Sequence, residues 1–312
     1  MEQTGQPPTP GGRLFGGMDV GGSKIETCLF DEQFRALERR RVETACATYE
    51  ELLDCIVGEA HWLDGRAGRV VDLGIGLPGL VDQATGRALT SNLPATGRPL
   101  RQDLTAKLGR SVAMANDCKC FALSEANGGA GEGCETTLGL ILGTGVGGGV
   151  THHGRLVLGH NDLPGELGHL GIPGWLAAES ELPLLPCGCG RIGCYETLVS
   201  GPGLVRLANR HGGPGRSPAQ IARLANEGDA PMAAAMREWV SLLAELIHTA
   251  QCTIDMGCVV LGGGLSRIPE VAQLLAQTYR GRRICGRETR FAVARFGDAS
   301  GTRGAAMLLM RS

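Results

Sequence analysis

Cys187, Cys189 and Cys194 fall in the run Pro-Cys-Gly-Cys-Gly-Arg-Ile-Gly-Cys-Tyr-Glu, where glycines between them let a short loop turn its thiolates inward. His169 lies upstream at loop distance, in Gly-Glu-Leu-Gly-His. Three sulfurs and one imidazole suit tetrahedral zinc, and with all four positions filled by protein such an ion holds structure and offers no open site to water. The alternative is three ordinary buried cysteines and an unrelated histidine; the spacing Cys-x-Cys-x4-Cys favours the metal. Glu166 and Glu196 flank the unit. A closed zinc centre would pin both acids and one edge of the imidazole beside their neighbours, which suits the gripping of a polyol.

Further chemistry sits at three glycine turns and one acid. The stretch Leu14 to Phe30 has an apolar run, glycines and an alternating run, which predicts two antiparallel strands with Asp19, Gly21, Gly22, Ser23 and Lys24 at the turn. Backbone N–H groups there can approach phosphate oxygens, and Asp19 can hold Mg2+, usually through water. Leu138 to His152 repeats the pattern around Gly143, Thr144, Gly145, Gly147 and Gly148. Two such hairpins suggest a duplicated fold with a phosphate site in the cleft between the halves. Gly143, Gly145 and Gly148 also spell the dinucleotide fingerprint, but that motif must open a helix and here a strand-like run follows. Gly262, Gly263 and Gly264 form the third turn, after a strand at residues 258–261. Asn116 and Asp117 stand at the carboxyl end of another expected strand, the edge where open α/β sheets bind ligands. Such a pair can hydrogen-bond a hydroxyl and accept its proton, or it can simply cap a helix.

These groups need a scaffold, and the chain has the means to build one. Its 312 residues are 43% hydrophobic, enough for one large domain or two ordinary ones. A net charge of -2 provides no basic field for nucleic acid, and no apolar run is long enough to span a bilayer. The 12 cysteines come without a secretory signal in the polar first residues, which points to reduced thiols in cytoplasm. Residues 1–13 read as a disordered tail. Strands are expected at 36–42, 69–77, 111–115 and 291–295. Helices are expected at 49–63, 101–108, 203–209, 218–226, 231–252 and 269–279, and in a run beginning after Asp117. The last helix, 301–310, is expected to return onto the first domain. The domains are expected at 14–116 plus 299–312, and at 117–298 with the zinc loop.

Taken in order, Asp19-Val20-Gly21-Gly22-Ser23-Lys24, Asn116-Asp117, Gly143-Thr144-Gly145, Gly-Glu-Leu-Gly-His and Cys-Gly-Cys-Gly-x-x-Gly-Cys-x-Glu resemble the ROK family of sugar kinases and repressors, from about Phe15 to Leu309. The resemblance implies an α/β actin-like ATPase (ribonuclease H-like) fold of two domains, usually a homodimer. Its implied partners are a small-molecule sugar and ATP with Mg2+, with structural Zn2+ on His169, Cys187, Cys189 and Cys194; on charge and hydropathy neither nucleic acid nor membrane is expected. It also implies Asp117 as base, with Gly79, Asn92, Asn116, Glu166, His169 and Glu196 at the sugar. Gly17, Asp19, Gly21, Gly22, Ser23, Lys24 and the second and third glycine turns are expected at the nucleotide.

The activity expected is transfer of the ATP γ-phosphate to the 6-hydroxyl of N-acetylglucosamine. Glucose, N-acetylmannosamine or fructose remain as alternative acceptors, and a sugar-responsive repressor as an alternative of another class, which would need a DNA-reading module and a basic footprint. Departures from the family pattern are few. Ser23 replaces Thr and keeps the hydroxyl; Asp255-Met256-Gly257 changes the lead-in to a strand; Cys118-Lys119-Cys120 follows the acid, with Lys119 expected to face solvent. Asp117 is expected to have an ordinary carboxylate pKa, near ~4.

Overall fold

The computed structural model describes residues 12–44, 46–82, 84–282, 284 and 286–310. In chain order the first elements are β1 (Phe15–Val20), β2 (Lys24–Phe30), β3 (Ala36–Glu43), α1 (Tyr49–Ala67), β4 (Asp72–Leu77), β5 (Gly79–Val81), β6 (Ala88–Thr90), α2 (Leu100–Leu108), β7 (Val112–Asn116) and α3 (Asp117–Ala126). Next come β8 (Thr136–Leu142), β9 (Val146–His152), β10 (Arg155–Leu156), α4 (Gly174–Glu179), α5 (Glu196–Val199), α6 (Gly201–Arg210), α7 (Pro218–Asn226) and α8 (Ala230–Ile254). The chain closes with β11 (Cys258–Gly262), α9 (Val271–Arg280), β12 (Arg290–Val293) and α10 (Ser300–Met307).

Two compact units result: the chain up to Glu125 with Leu158–Leu163 and Asp298–Ser312, and Ala126–Val157 with Pro164–Gly297. Each contains a five-stranded sheet, ordered β3-β2-β1-β4-β7 in one and β10-β9-β8-β11-β12 in the other. In both, the first three strands pair antiparallel and the last three parallel. The duplication expected from the two glycine hairpins is therefore a repeat of strand order and strand sense.

Local chemistry explains the element ends. Thr48 and Glu51 form a reciprocal capping box at the start of α1, and Gly68, at φ 65°, ends it in the left-handed conformation. The helix expected over 49–63 therefore continues to Ala67. Leu52, Ile56, Ala60 and Leu63 bury one face of α1 against the first sheet. In the second unit Trp239, Leu243, Leu246 and Ile247 of α8 form the centre of the core, and the Trp239 indole N–H donates to Val199 O at 2.9 Å.

Three expectations change. The sequence predicts a domain boundary at Asp117, but α3 belongs to the first unit: Cys120 packs with Ala115 and Ala305, and a Cβ on Gly304 would lie 1.7 Å from Cys120 O. Arg13, expected in the tail, pairs with Asp72 at 2.7 Å and covers the Phe15 ring; the tail through residue 11 lies outside the described residues. Gly147 and Gly148 belong to β9 and not to the turn, which is confined to residues 143–145.

The last helix returns onto the first sheet, and glycines make that contact possible. A Cβ on Gly17 would lie 2.0 Å from Thr302 O, and one on Gly74 would lie 1.8 Å from Ala305 O. The backbone of α10 thus rests directly on β1 and β4. Because backbone cannot yield as a flexible side chain does, Gly74→Ala is expected to cost roughly 3 kcal/mol or more through overpacking. Urea unfolding should record this as a lower midpoint.

Candidate active site

In the first unit the acid and the carboxamide sit where β7 gives way to α3. Asn116 ends the strand, opposite Leu77 of β4, and Asp117 opens the helix. The Cys118 N–H is shared by Asn116 Oδ1 at 2.9 Å and Asp117 Oδ1 at 2.8 Å, while Asn116 Nδ2 donates to Gly79 O at 3.0 Å. Helix capping, the alternative for this pair, is therefore real for Asn116 and occupies one oxygen of Asp117. Gly79 lies at φ 132°, and its Cβ would fall 2.1 Å from Leu89 O, so only glycine fits this turn.

The expectation of an ordinary Asp117 pKa is overturned. Desolvation by burial pushes this carboxyl up, opposed by the Cys118 N–H. Asp19 moves in the same direction, from 3.8 to about 7, through burial first and then the charges of Asp117 and Glu26, with Lys24 opposing. Asp19 faces Glu26 across β2 and Gly76 across β4. Glu26 already has two guanidinium partners, Arg39 and Arg41. A carboxylate crowded by other acids at a strand end fits Mg2+, which would replace the missing positive charge.

The first turn, residues 21–23, closes through the Gly21 N–H to Lys24 O at 2.9 Å. It touches the loop bearing Asn92, since a Cβ on Gly22 would lie 2.8 Å from Asn92 Nδ2. Ser23 and Lys24 are exposed there. Gly17 lies inside β1, where the contact with α10 accounts for it.

In the second unit the turn 143–145 is held from both ends. The Gly201 N–H donates to Gly143 O at 2.7 Å, and the Val146 N–H donates to Glu196 Oε2 at 2.9 Å. Glu196 opens α5, and a Cβ on Gly145 would fall 2.8 Å from its Oε2. Beside the turn is a cavity of about 1020 Å³, bounded by Gly143 and Thr144, by Gly201 and Pro202, by Pro218, and by Gly264. Gly263 has φ 79° and passes so close to Leu142 that a Cβ would lie 2.5 Å from its carbonyl oxygen. Gly262 ends β11, and Gly264 begins a 3₁₀ turn, Gly264–Arg267.

Sequence reasoning missed the walls formed by α6 and α7. The Ser217–Gln220 capping box marks the start of α7 but says nothing of what that helix faces. Gly148, expected at the nucleotide, has a packing requirement of its own, with Gly139 O 2.7 Å from where a Cβ would be.

The metal-type donors converge as their spacing predicts. One donor atom each from His169, Cys187, Cys189 and Cys194 lies within 4.8 Å of every other. Cys187 Sγ is 3.6 Å from His169 Nδ1, and Cys189 Sγ is 3.6 Å from Cys194 Sγ. A tetrahedral zinc with bonds of about 2.3 Å to sulfur sets ligand atoms about 3.8 Å apart, so the donors fit that ion. Burial and the neighbouring thiols push Cys194 up to about 12, a state that a central dication would reverse. His169 Nε2 points the other way, 3.9 Å from Glu166 Oε2.

The ROK family model matches residues 15–312. The chain belongs to the ROK family. N-acetylgalactosamine kinase AgaK of Shewanella sp. (strain ANA-3) is 38% identical over 95% of this chain and 96% of its own length. N-acetyl-D-glucosamine kinase of Photobacterium profundum is 39% identical over 95% of this chain and 99% of its own length. Among solved structures, the ROK hexokinase from Thermus thermophilus superposes with TM-score 0.84 at 30% identity, covering 95% of this chain and 97% of the other. The repeated sheet order is thus the actin-like ATPase fold of ROK sugar kinases.

One departure of this ROK chain from the family pattern behaves differently from expectation. Lys119 does not face solvent: its side chain is 0% exposed and its Nζ lies 2.5 Å from Asp162 Oδ1. No helix among the described residues is long and apolar enough to cross a membrane.

The Asp19 shift has a measurable consequence. A carboxyl raised in the folded state favours its protonated form there, so its contribution to stability is present below the unfolded value of 3.8 and is lost as pH rises to about 7. In protein free of Mg2+ and nucleotide, Asp19→Asn should therefore gain thermal stability relative to the parent between those limits and no further above them. Calorimetric melting at a series of pH values checks this, and a constant difference would contradict it.

Proposed function

We infer that this protein catalyses ATP-dependent phosphorylation of N-acetyl-D-glucosamine at its 6-hydroxyl, giving N-acetyl-D-glucosamine 6-phosphate and ADP. The observation that carries this is the full motif set on a chain 39% identical, over 95% of its length, to a kinase named for that sugar. The desolvated acid at the head of α3 supplies the chemistry. Asp117 orients the 6-hydroxyl in line with the γ-phosphorus; as the O6–P bond forms and the bond to the bridging β,γ-oxygen breaks, the hydroxyl proton passes to Asp117. The transition state is loose, so positioning and charge neutralisation matter more than basicity. A raised pKa still helps, because a base closer to neutral takes the proton with less opposition.

The nucleotide is assigned to Ser23, Lys24 and the 21–23 turn, and to the cavity beside residues 143–145 and Gly264. Asp19 would hold Mg2+, which neutralises phosphate charge when bound. Glu166, His169 and Glu196 would accept from and donate to ring hydroxyls. His169, Cys187, Cys189 and Cys194 would hold zinc, which fixes the imidazole tautomer so that Nε2–H is left as a donor. Thiol ligands require a reducing compartment, which supports a cytoplasmic setting. A homodimer, implied by the family, is checked by light scattering.

The 38% identity to an N-acetylgalactosamine kinase favours a second acceptor, the 4-epimer. Both share the acetamido group and 6-hydroxyl, and one hydroxyl orientation separates them by a few contacts. Coupled ADP release across N-acetylglucosamine, N-acetylgalactosamine, N-acetylmannosamine, glucose and fructose tests the assignment. The highest kcat/KM is expected with N-acetylglucosamine; release with none of these sugars would overturn the kinase reading.

Asp117→Asn should abolish nearly all turnover while leaving sugar affinity within about tenfold, a change of roughly 1.4 kcal/mol. Calorimetry that finds no sugar binding by this variant would remove Asp117 from the role of base. Cys189→Ala should lose zinc and weaken sugar binding together, and metal analysis that finds zinc retained would refute the ligand assignment.

A further inference from the structure

Lys119 lies two residues beyond the proposed base, in the first turn of α3, and is wholly removed from solvent. Its partner Asp162 is 3% exposed and belongs to Leu158–Leu163, a short excursion of the chain that packs with the first unit. The Lys119 ammonium also donates to the Asp162 main-chain oxygen. No hydrogen-bond donor among the described residues satisfies the Asp162 carboxylate, so the Lys119 charge alone answers it. Asp162 is held at φ 57°, a conformation that costs a non-glycine residue and persists only where its surroundings demand it.

A buried ion pair adds little net stability, because two charges lose their water; what it enforces is direction, since any movement that parts the charges leaves each one bare. Here one charge is carried by the helix turn that begins with Asp117. The other is carried by a segment that continues, four residues later, to Glu166.

We propose that the Lys119–Asp162 pair is a positioning device for phosphoryl transfer: by locking the first turn of α3 to the Leu158–Leu163 excursion it sets the direction of the Asp117 carboxylate. This rests on the sugar-kinase reading, with Asp117 as base. Neither Lys119 nor Asp162 touches substrate; both act through their neighbours. Either charge without the other would leave the device incomplete.

Two variants test it, each assayed by ADP release with N-acetylglucosamine: Asp162→Asn, which keeps shape, and the double variant Lys119→Met, Asp162→Asn, which removes both charges and leaves at 162 a residue that tolerates φ 57°. Parent protein is assayed first; if it turns over no sugar, the kinase reading fails, independently of this proposal. Given an active parent, both variants should lose about ten- to a hundredfold in kcat, as small misplacements of reacting groups do, with a raised KM for sugar, an unchanged KM for ATP and full zinc content. The double variant should melt at or above the parent temperature, which separates lost positioning from lost folding. A folded variant of either kind with parental kcat and sugar KM would overturn the proposal, and so would an equal rise in the KM for ATP.

Discussion

Withdrawing a carboxylate from water disfavours its charged form, and the first unit does this in part to two of them, Asp19 on β1 and Asp117 just past β7, with β4 between the two strands. Burial raises both Asp19 and Asp117, and the charge of Asp117 raises Asp19 further. That dryness depends on glycine. Gly17 and Gly74 admit the backbone of α10 onto the sheet, Gly304 admits α3, and Gly301 brings the same helix so near Asp19 that a Cβ placed on it would lie 2.5 Å from the carboxylate. Side chains at these positions would hold the layers apart and open both half-buried acids further to water. The site's electrostatics are thus a consequence of close backbone packing one layer below it.

The second unit achieves rigidity by a different route. Its glycine turn has few side chains of its own, so order is imported through hydrogen bonds from Gly201 and Glu196. Glu196 Oε1 is also 3.8 Å from Cys187 Sγ, so one carboxylate ties the turn to the cysteine loop. Such a loop, short and glycine-rich, buries too little apolar surface to hold itself. Cross-linking by a closed four-ligand ion is a direct way to fix it, which is why the donor set reads as structural and not as catalytic.

Elements with local causes are legible in the sequence. The two hairpins, the helix at 218–226 and the cysteine cluster all announce themselves through spacing, capping residues or chemistry confined to a few positions. What is not legible depends on partners distant in the chain. Lys119 reads as a surface charge because nothing within several residues can neutralise it; its counter-ion is 43 positions away. The Asp117 pKa reads as ordinary for the same reason, since desolvation is a property of everything packed around a group. Gly17 and Gly148 read as nucleotide-site residues from their motifs, and the sequence does not show that both are strand residues whose missing side chains also make room, for a helix and for the paired strand β8. The composition says that close approaches are numerous without saying which glycine serves a ligand and which serves the core.

In the sugar-kinase reading proposed above, with Glu166 and His169 at the sugar, one distance narrows acceptor choice. His169 Nε2 and Glu166 Oε2 stand 3.9 Å apart, beyond the reach of a good hydrogen bond, about 2.7–3.2 Å, yet close enough for one hydroxyl oxygen to accept from the first and donate to the second. A sugar lacking that hydroxyl would forfeit both bonds, a large loss. An epimer merely moves the oxygen, and a glutamate side chain can follow it. Rejection of deoxy sugars should therefore be sharp and rejection of epimers shallow.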